Sequence, residues 1–149
     1  MIVPASANHD NLAAALRLSH ILQLYHRLDS DIILEDRALQ WNSLQSWPSG
    51  NIIFIGNSSS LFAQEVLQSK KTAVDVSDSV AKVGNKKFNK AGQGQYPKSY
   101  MLFILHSDKS SLERAVRLFP FRTGIAVPEW LVAGNEMDSQ GAGGLQAAG

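Results

Sequence analysis

Short unbroken apolar runs alternate along the chain with segments of helical spacing. The runs are Met1–Ala5 (MIVPA), Asp31–Leu34 (DIIL), Asn51–Gly56 (NIIFIG), Tyr100–His106 (YMLFILH) and Glu129–Gly134 (EWLVAG). Strands that read as continuous Ile, Val, Leu and Phe, without polar alternation, are those buried on both faces, as parallel strands with helices above and below are. The order predicts an α/β domain, a three-layer sandwich around a mainly parallel sheet of at least four strands. Ile52–Ile55 and Leu102–Leu105 are expected at its centre.

Between the first two runs, Asn8 or Asp10 is placed to cap a helix reaching about Leu28, because a side-chain oxygen there accepts the orphan N–H groups of the first turn. Ala14, Leu18, Ile21, Tyr25 and Leu28 follow at spacings of four, three, four and three, one continuous stripe predicted to face the sheet. Arg37–Trp47 is expected to hold a short helix, with Trp41 and Trp47 as packing residues, before Pro48–Gly50 turns the chain. After Gly56–Ser60, a helix opens with Leu61, Phe62, Val66 and Leu67 as its inner face. A further helix, capped by Ser110 or Ser111 and stopped by Pro120, carries Leu112, Ala115, Val116, Leu118 and Phe119.

Val74, Val76, Val80 and Val83 break this rhythm and read as a hairpin at an edge. Gly84–Lys98 is polar, rich in Gly and Lys, and expected to be an exposed loop. Residues 1–134 read as one α/β domain. Asn135–Gly149 reads as loop, a Gly/Ala-rich connector or truncated end attached to further domains of a larger parent chain. The start of the chain lacks the basic, apolar and small-residue regions of a signal peptide.

Composition narrows the functional classes. Fourteen Lys and Arg stand against thirteen Asp and Glu in 149 residues, a net charge of +1, so no strong field exists to draw nucleic acid or an acidic membrane. Lys82, Lys86, Lys87 and Lys90 have only Phe88 and Tyr96 beside them and read as a solvated loop, not a nucleic-acid patch. With no Cys, thiol nucleophiles and thiolate metal sites are excluded. No apolar run approaches the roughly 18 residues of a membrane span.

In open parallel sheets ligands bind outside the carboxyl ends of the strands. That rule singles out Ser6, Asn8, Asn57, Ser58, Ser59, His106 and Asp108 as candidate ligand-binding positions. Gly56–Ser60 offers helix-start N–H groups and hydroxyls to an anion. It lacks the Lys of a P-loop and the G-x-G-x-x-G spacing, and the serines, Ser58 and Ser59 among them, are better explained as helix caps. Ser58 or Ser59 can be grouped with His106 and Asp108 as a Ser/His/Asp set. The G-x-S-x-G elbow that exposes a nucleophilic serine is absent, so no catalytic residue is assigned. His9, His20 and His26 lack H-x-x-x-H or H-E-x-x-H spacing, and neither a metal nor a cofactor is expected.

The segments LAAALRLSHILQLYHRLDSDII, WPSGNIIFIGN, SYMLFILHSDKSSLERAVRLFPFRTGIAVPEWLVAG and DSQGAGGLQAAG together resemble a region of large fungal secreted proteins that carry a prolyl oligopeptidase-like serine peptidase domain of α/β-hydrolase type. The resemblance implies an accessory α/β domain beside the hydrolase domain, in an extracellular protein. No catalytic position carries over from it. NIIFIGN followed by LFILHSDKSSLERAVR also resembles flavodoxin-like accessory modules, so the sheet is expected to be flavodoxin-like or Rossmann-like. Two functions follow: a non-catalytic accessory or interaction domain of a larger secreted serine hydrolase, or an independent small flavodoxin-like or Rossmann-like enzyme or nucleotide-binding protein using the strand-end loops. The first is favoured, because each phosphate or nucleophile motif fails at a defining position.

Overall fold

The computed structural model describes residues 1–5, 8–69, 74–77, 80–83, 101–118 and 131–148. Its centre is a three-stranded parallel sheet in the order β1 (Ile2–Pro4), β2 (Ile52–Gly56), β5 (Met101–Leu105), with Ile53 opposite both Ile2 and Leu102. Parallel neighbours require crossovers. Helices α1 (His9–His26), α2 (Glu35–Leu44) and α3 (Leu61–Ser69) provide them around β1 and β2, and α4 (Lys109–Arg117) follows β5.

Each face of the sheet is covered. On one, Ile2, Ile55 and Ile104 pack against Ala14, Ala15 and Leu18 of α1 and Leu112 and Val116 of α4. On the other, Val3, Ile52 and Phe54 meet Ala38 of α2 and Phe62, Ala63 and Val66 of α3. An aromatic layer runs through this second face. Trp41 and Trp47 meet edge to face at 6.1 Å, Trp47 reaches Phe62 at 5.8 Å, and Phe62 stacks on Phe54 at 5.2 Å. Both tryptophans are packing residues, and Arg37 lies over the Trp41 ring.

Several expectations are corrected by the structure. Asp31–Leu34 contributes a single parallel bridge, Ile32 to Ile2, so among the described residues the parallel sheet has three strands and one bridge where at least four strands were expected. Among the described residues β5 ends the sheet instead of lying centrally, and Leu102 is partly exposed. The Val-rich stretch does form an antiparallel hairpin, β3 (Val74–Ser77) with β4 (Val80–Val83), as a two-stranded sheet separate from the parallel one. The stripe on α1 turns away from the core at its end, with Tyr25 66% and Leu28 55% exposed; Arg27 in the left-handed region closes the helix before Leu28.

The final apolar run does not join the parallel sheet. β6 (Leu131–Ala133) pairs antiparallel with β7 (Leu145–Ala148), with α5 (Met137–Gln140) and a 3-10 turn over Gly141–Gly144 between them. The expected loop over 135–149 is thus structured through 148. Met137 is buried, and Asp138 accepts from Arg114 at 2.9 Å and Arg117 at 3.2 Å, joining α5 to α4. Gly144 is required there, since a Cβ on it would lie 2.5 Å from the backbone of Glu136 and Met137. Residues 70–73, 78–79, 84–100 and 119–130 lie outside the described residues, and with them the Gly84–Lys98 loop, its lysines, Phe119 and the Pro120 stop.

Candidate functional site

At the carboxyl edge of the sheet the three strand ends remain in backbone register: Ala5 N–H donates to the Ile55 carbonyl at 2.7 Å, and His106 N–H to that of Gly56 at 3.0 Å. His106 follows β5 and is only 7% exposed. Its Nε2 lies 2.7 Å from Asn11 Oδ1, while Asn11 Nδ2 donates to the Ala5 carbonyl at 3.1 Å. That second bond fixes the Asn11 amide, turning its oxygen to the ring, so Nε2 carries the proton and donates. Nδ1 is the unprotonated nitrogen, buried and without a hydrogen-bond partner among the described residues. Burial pushes the imidazole below the usual histidine range. The Asp108 backbone and the carboxylates of Asp108 and Asp10 pull the other way without overcoming it.

The junction between β2 and α3 is the other candidate, an anion cradle by composition. Several of its donors are engaged from within. Glu35, at the start of α2 and itself buried, extends its carboxylate across to α3, where Oε1 accepts the Phe62 N–H at 3.2 Å. Ser60 caps the same turn, its hydroxyl accepting from Ala63 N–H at 3.2 Å and its carbonyl from Gln64 N–H at 3.0 Å. The capping serine is therefore Ser60, not Ser58 or Ser59 as the sequence reading expects. Ser59 Oγ donates to Asn57 Oδ1 at 2.8 Å.

Asn8 caps α1, accepting from Asp10 N–H at 3.0 Å. Asp108 caps α4 in a reciprocal box: its Oδ1 accepts Ser111 N–H at 2.8 Å while Ser111 Oγ accepts Asp108 N–H at 3.0 Å. The cap is Asp108, with the predicted Ser111 as its partner. Ser111 and Ser107 hold the Asp108 carboxyl below the usual carboxylate range. Ser6 lies outside the described residues.

Ser59, His106 and Asp108 thus have separate partners, Asn57, Asn11 and Ser111. The hydrogen bonds do not join them as a nucleophile, base and orienting acid. At the end of β2 a Cβ on Gly56 would lie 2.5 Å from the Ala5 Cβ and 2.7 Å from the Phe54 ring, so the close packing of β1 and β2 there favours glycine. A cleft of about 230 Å³ lies elsewhere, between α1 and α4, with Leu112 and Val116 as its floor and Asp10, Arg17, Lys109 and Glu113 around it. Lys109 pairs with Asp10 there at 3.7 Å.

No family model, curated protein or solved structure matches this chain. Function therefore rests on side-chain geometry. Sequence reasoning places His106 and Asp108 at the right edge and Glu35 at the end of the second apolar run, but it misses Asn11 and gives Glu35 no role in holding α3. Asn11 carried a signal: it falls three residues before Ala14 and seven before Leu18, a polar residue in register with the inward stripe.

Proposed function

We propose that this chain is a non-catalytic accessory or interaction domain of a larger secreted hydrolase of the serine type. The observation that supports this reading best is the internal use of the strand-end polar groups. Glu35 supplies to α3 the negative oxygen that a phosphate would otherwise supply. Asn11 engages the one buried histidine, and Asp108 serves its own helix. A catalytic or nucleotide site needs such groups aimed at an empty position about 3 Å away.

The order of the Ile32 bridge, β1, β2 and β5 corresponds to the flavodoxin-like arrangement 2-1-3-4, which supports the flavodoxin-like form of the sheet over the Rossmann-like one. The rival reading, an independent small enzyme or nucleotide-binding protein, needs an open crevice at the β1 and β2 ends. The strand-end residues Asn8, Ser60 and Asp108 are engaged as caps of this chain's own helices.

Two measurements test the proposal. A fluorophosphonate serine probe applied to the folded chain is expected to give no stoichiometric labelling; labelling that disappears in both Ser59→Ala and His106→Ala would overturn the non-catalytic reading. Sequencing the gene on either side of this segment tests the parent. A G-x-S-x-G with following Asp and His is expected, and a complete open reading frame without one would sink the hydrolase assignment.

A further inference from the structure

We propose that the Ala5–Asn11–His106 chain is an acid-operated latch, which holds the first turns of α1 to the β5–α4 junction and releases when the buried imidazole takes up a proton. The latch joins segments far apart in sequence through two hydrogen bonds, Asn11 Nδ2 to the Ala5 carbonyl at 3.1 Å and His106 Nε2 to Asn11 Oδ1 at 2.7 Å. Because the Ala5 carbonyl dictates which end of the Asn11 amide meets the ring, the held state requires the Nε2–H tautomer. Nδ1 is then the only position open to a second proton.

A proton on Nδ1 creates a buried cation on an atom that makes no hydrogen bond in the held geometry among the described residues; the Asp108 backbone favours that proton, but less than burial opposes it. The charged groups that act on the ring are Asp108, on its own loop, and Asp10, on α1, the latter paired with Lys109. The strand ends beside it, at Ala5 and Gly56, bring no charge. Asp108 is exposed and Asp10 half-buried, so both carboxylates stabilise an imidazolium that moves outward better than one that stays in the core. Outward rotation of the ring breaks the bond to Asn11 and leaves its amide oxygen without a donor. The His106 backbone stays paired to Gly56, so the sheet persists while the helix start loosens.

The released state gains from protonation and the held state resists it, so acidification shifts the balance between them. A released imidazole of ordinary pKa, about 6.5, sets the ceiling: between pH 7 and pH 5 the released population rises by up to about 25-fold.

Nuclear magnetic resonance on the full chain tests this, following the His106 ring Cε1–H and the Asn11 side-chain amide from pH 7.5 to 4.5. The expected result is one shared titration curve with its midpoint below the ordinary histidine range. In His106→Gln, whose amide can still donate to Asn11 but does not titrate, the Asn11 signals should be flat over the same range. A His106 midpoint at or above the ordinary value, or an Asn11 amide indifferent to the ring's titration, would overturn the latch. If His106→Gln does not fold, the two wild-type curves alone decide.

Discussion

Glu35 completes a helix to which it does not belong: its carboxylate, 27 positions before Phe62, accepts that residue's buried backbone N–H at 3.2 Å in the first turn of α3. The contact ties α2 to α3. Removing it strands a buried donor, which costs about 1–3 kcal/mol. Glu35→Ala should lower stability by that amount in urea denaturation, and Glu35→Gln, which keeps an acceptor oxygen, by less. Inorganic phosphate should leave the wild-type melting temperature unchanged at matched ionic strength, because a ligand stabilises only a site it can occupy.

Gly56 ends β2 where the backbone must pass close to Ala5 and Phe54. A methyl group there meets the Ala5 Cβ at 2.5 Å, and that atom is fixed to a paired strand and cannot step aside. Gly56→Ala should therefore destabilise by about 1–3 kcal/mol through overpacking. Gly56→Ala combined with Ala5→Gly should recover much of the loss. Equal stability of the single and double variants would contradict the contact.

The parallel sheet was legible because NIIFIG and YMLFILH have no polar alternation, and burial on two faces leaves that mark in composition. DIIL carries the same mark over fewer residues, and only Ile32 of it pairs as a bridge. The structure over 135–148 was hidden by its glycines and alanines. They read as linker, but at Gly144 the small residue serves a close backbone approach, and LQAA has too little β propensity to announce β7. The site was least legible. Caps such as Asn8 lie two residues from their partner and can be read locally; Glu35 with Phe62 and Asn11 with His106 are 27 and 95 positions apart.

The two ends of α1 should respond differently to truncation. Leu18 is fully buried between Ile2, Ile55 and the α4 side chains, whereas Tyr25 is 66% exposed. Leu18→Ala should cost about 2–5 kcal/mol, the range for a buried leucine. Tyr25→Ser should stay within about 0.5 kcal/mol of wild type, as surface changes do. Comparable losses at both positions, measured by chemical denaturation, would place the helix face wrongly.

Asp138 holds α5 to α4 through Arg114 and Arg117, and the Arg114 hydrogen bond leads in keeping its carboxyl below the usual carboxylate range. Asp138 and Arg117 are open to water while Arg114 is largely covered, so salt should screen the pairing in part. Asp138→Asn is expected to raise hydrogen-exchange rates across residues 137–148 while leaving those of β2 unchanged. The difference from wild type should shrink in 1 M salt.

Asp108 supplies the last prediction, because its cap and its charge can be separated. Asp108→Ala removes the acceptor for Ser111 N–H and should cost about 0.5–2 kcal/mol, the range for loss of an N-cap; Asp108→Asn keeps a good capping oxygen without the charge and should cost less. The folded carboxyl titrates below its unfolded value, about 3.8, since Ser111 and Ser107 hydrogen bonds favour the ionised form. The charge-dependent part of the stability is therefore complete above the unfolded value and is lost as pH falls through the folded one. The wild-type advantage over Asp108→Asn should accordingly be constant from pH 7 down to about 5 and fade below about 3.8. A wild-type minus Asn difference that faded near pH 6 instead would mean that the ring, and not the cap, senses Asp108.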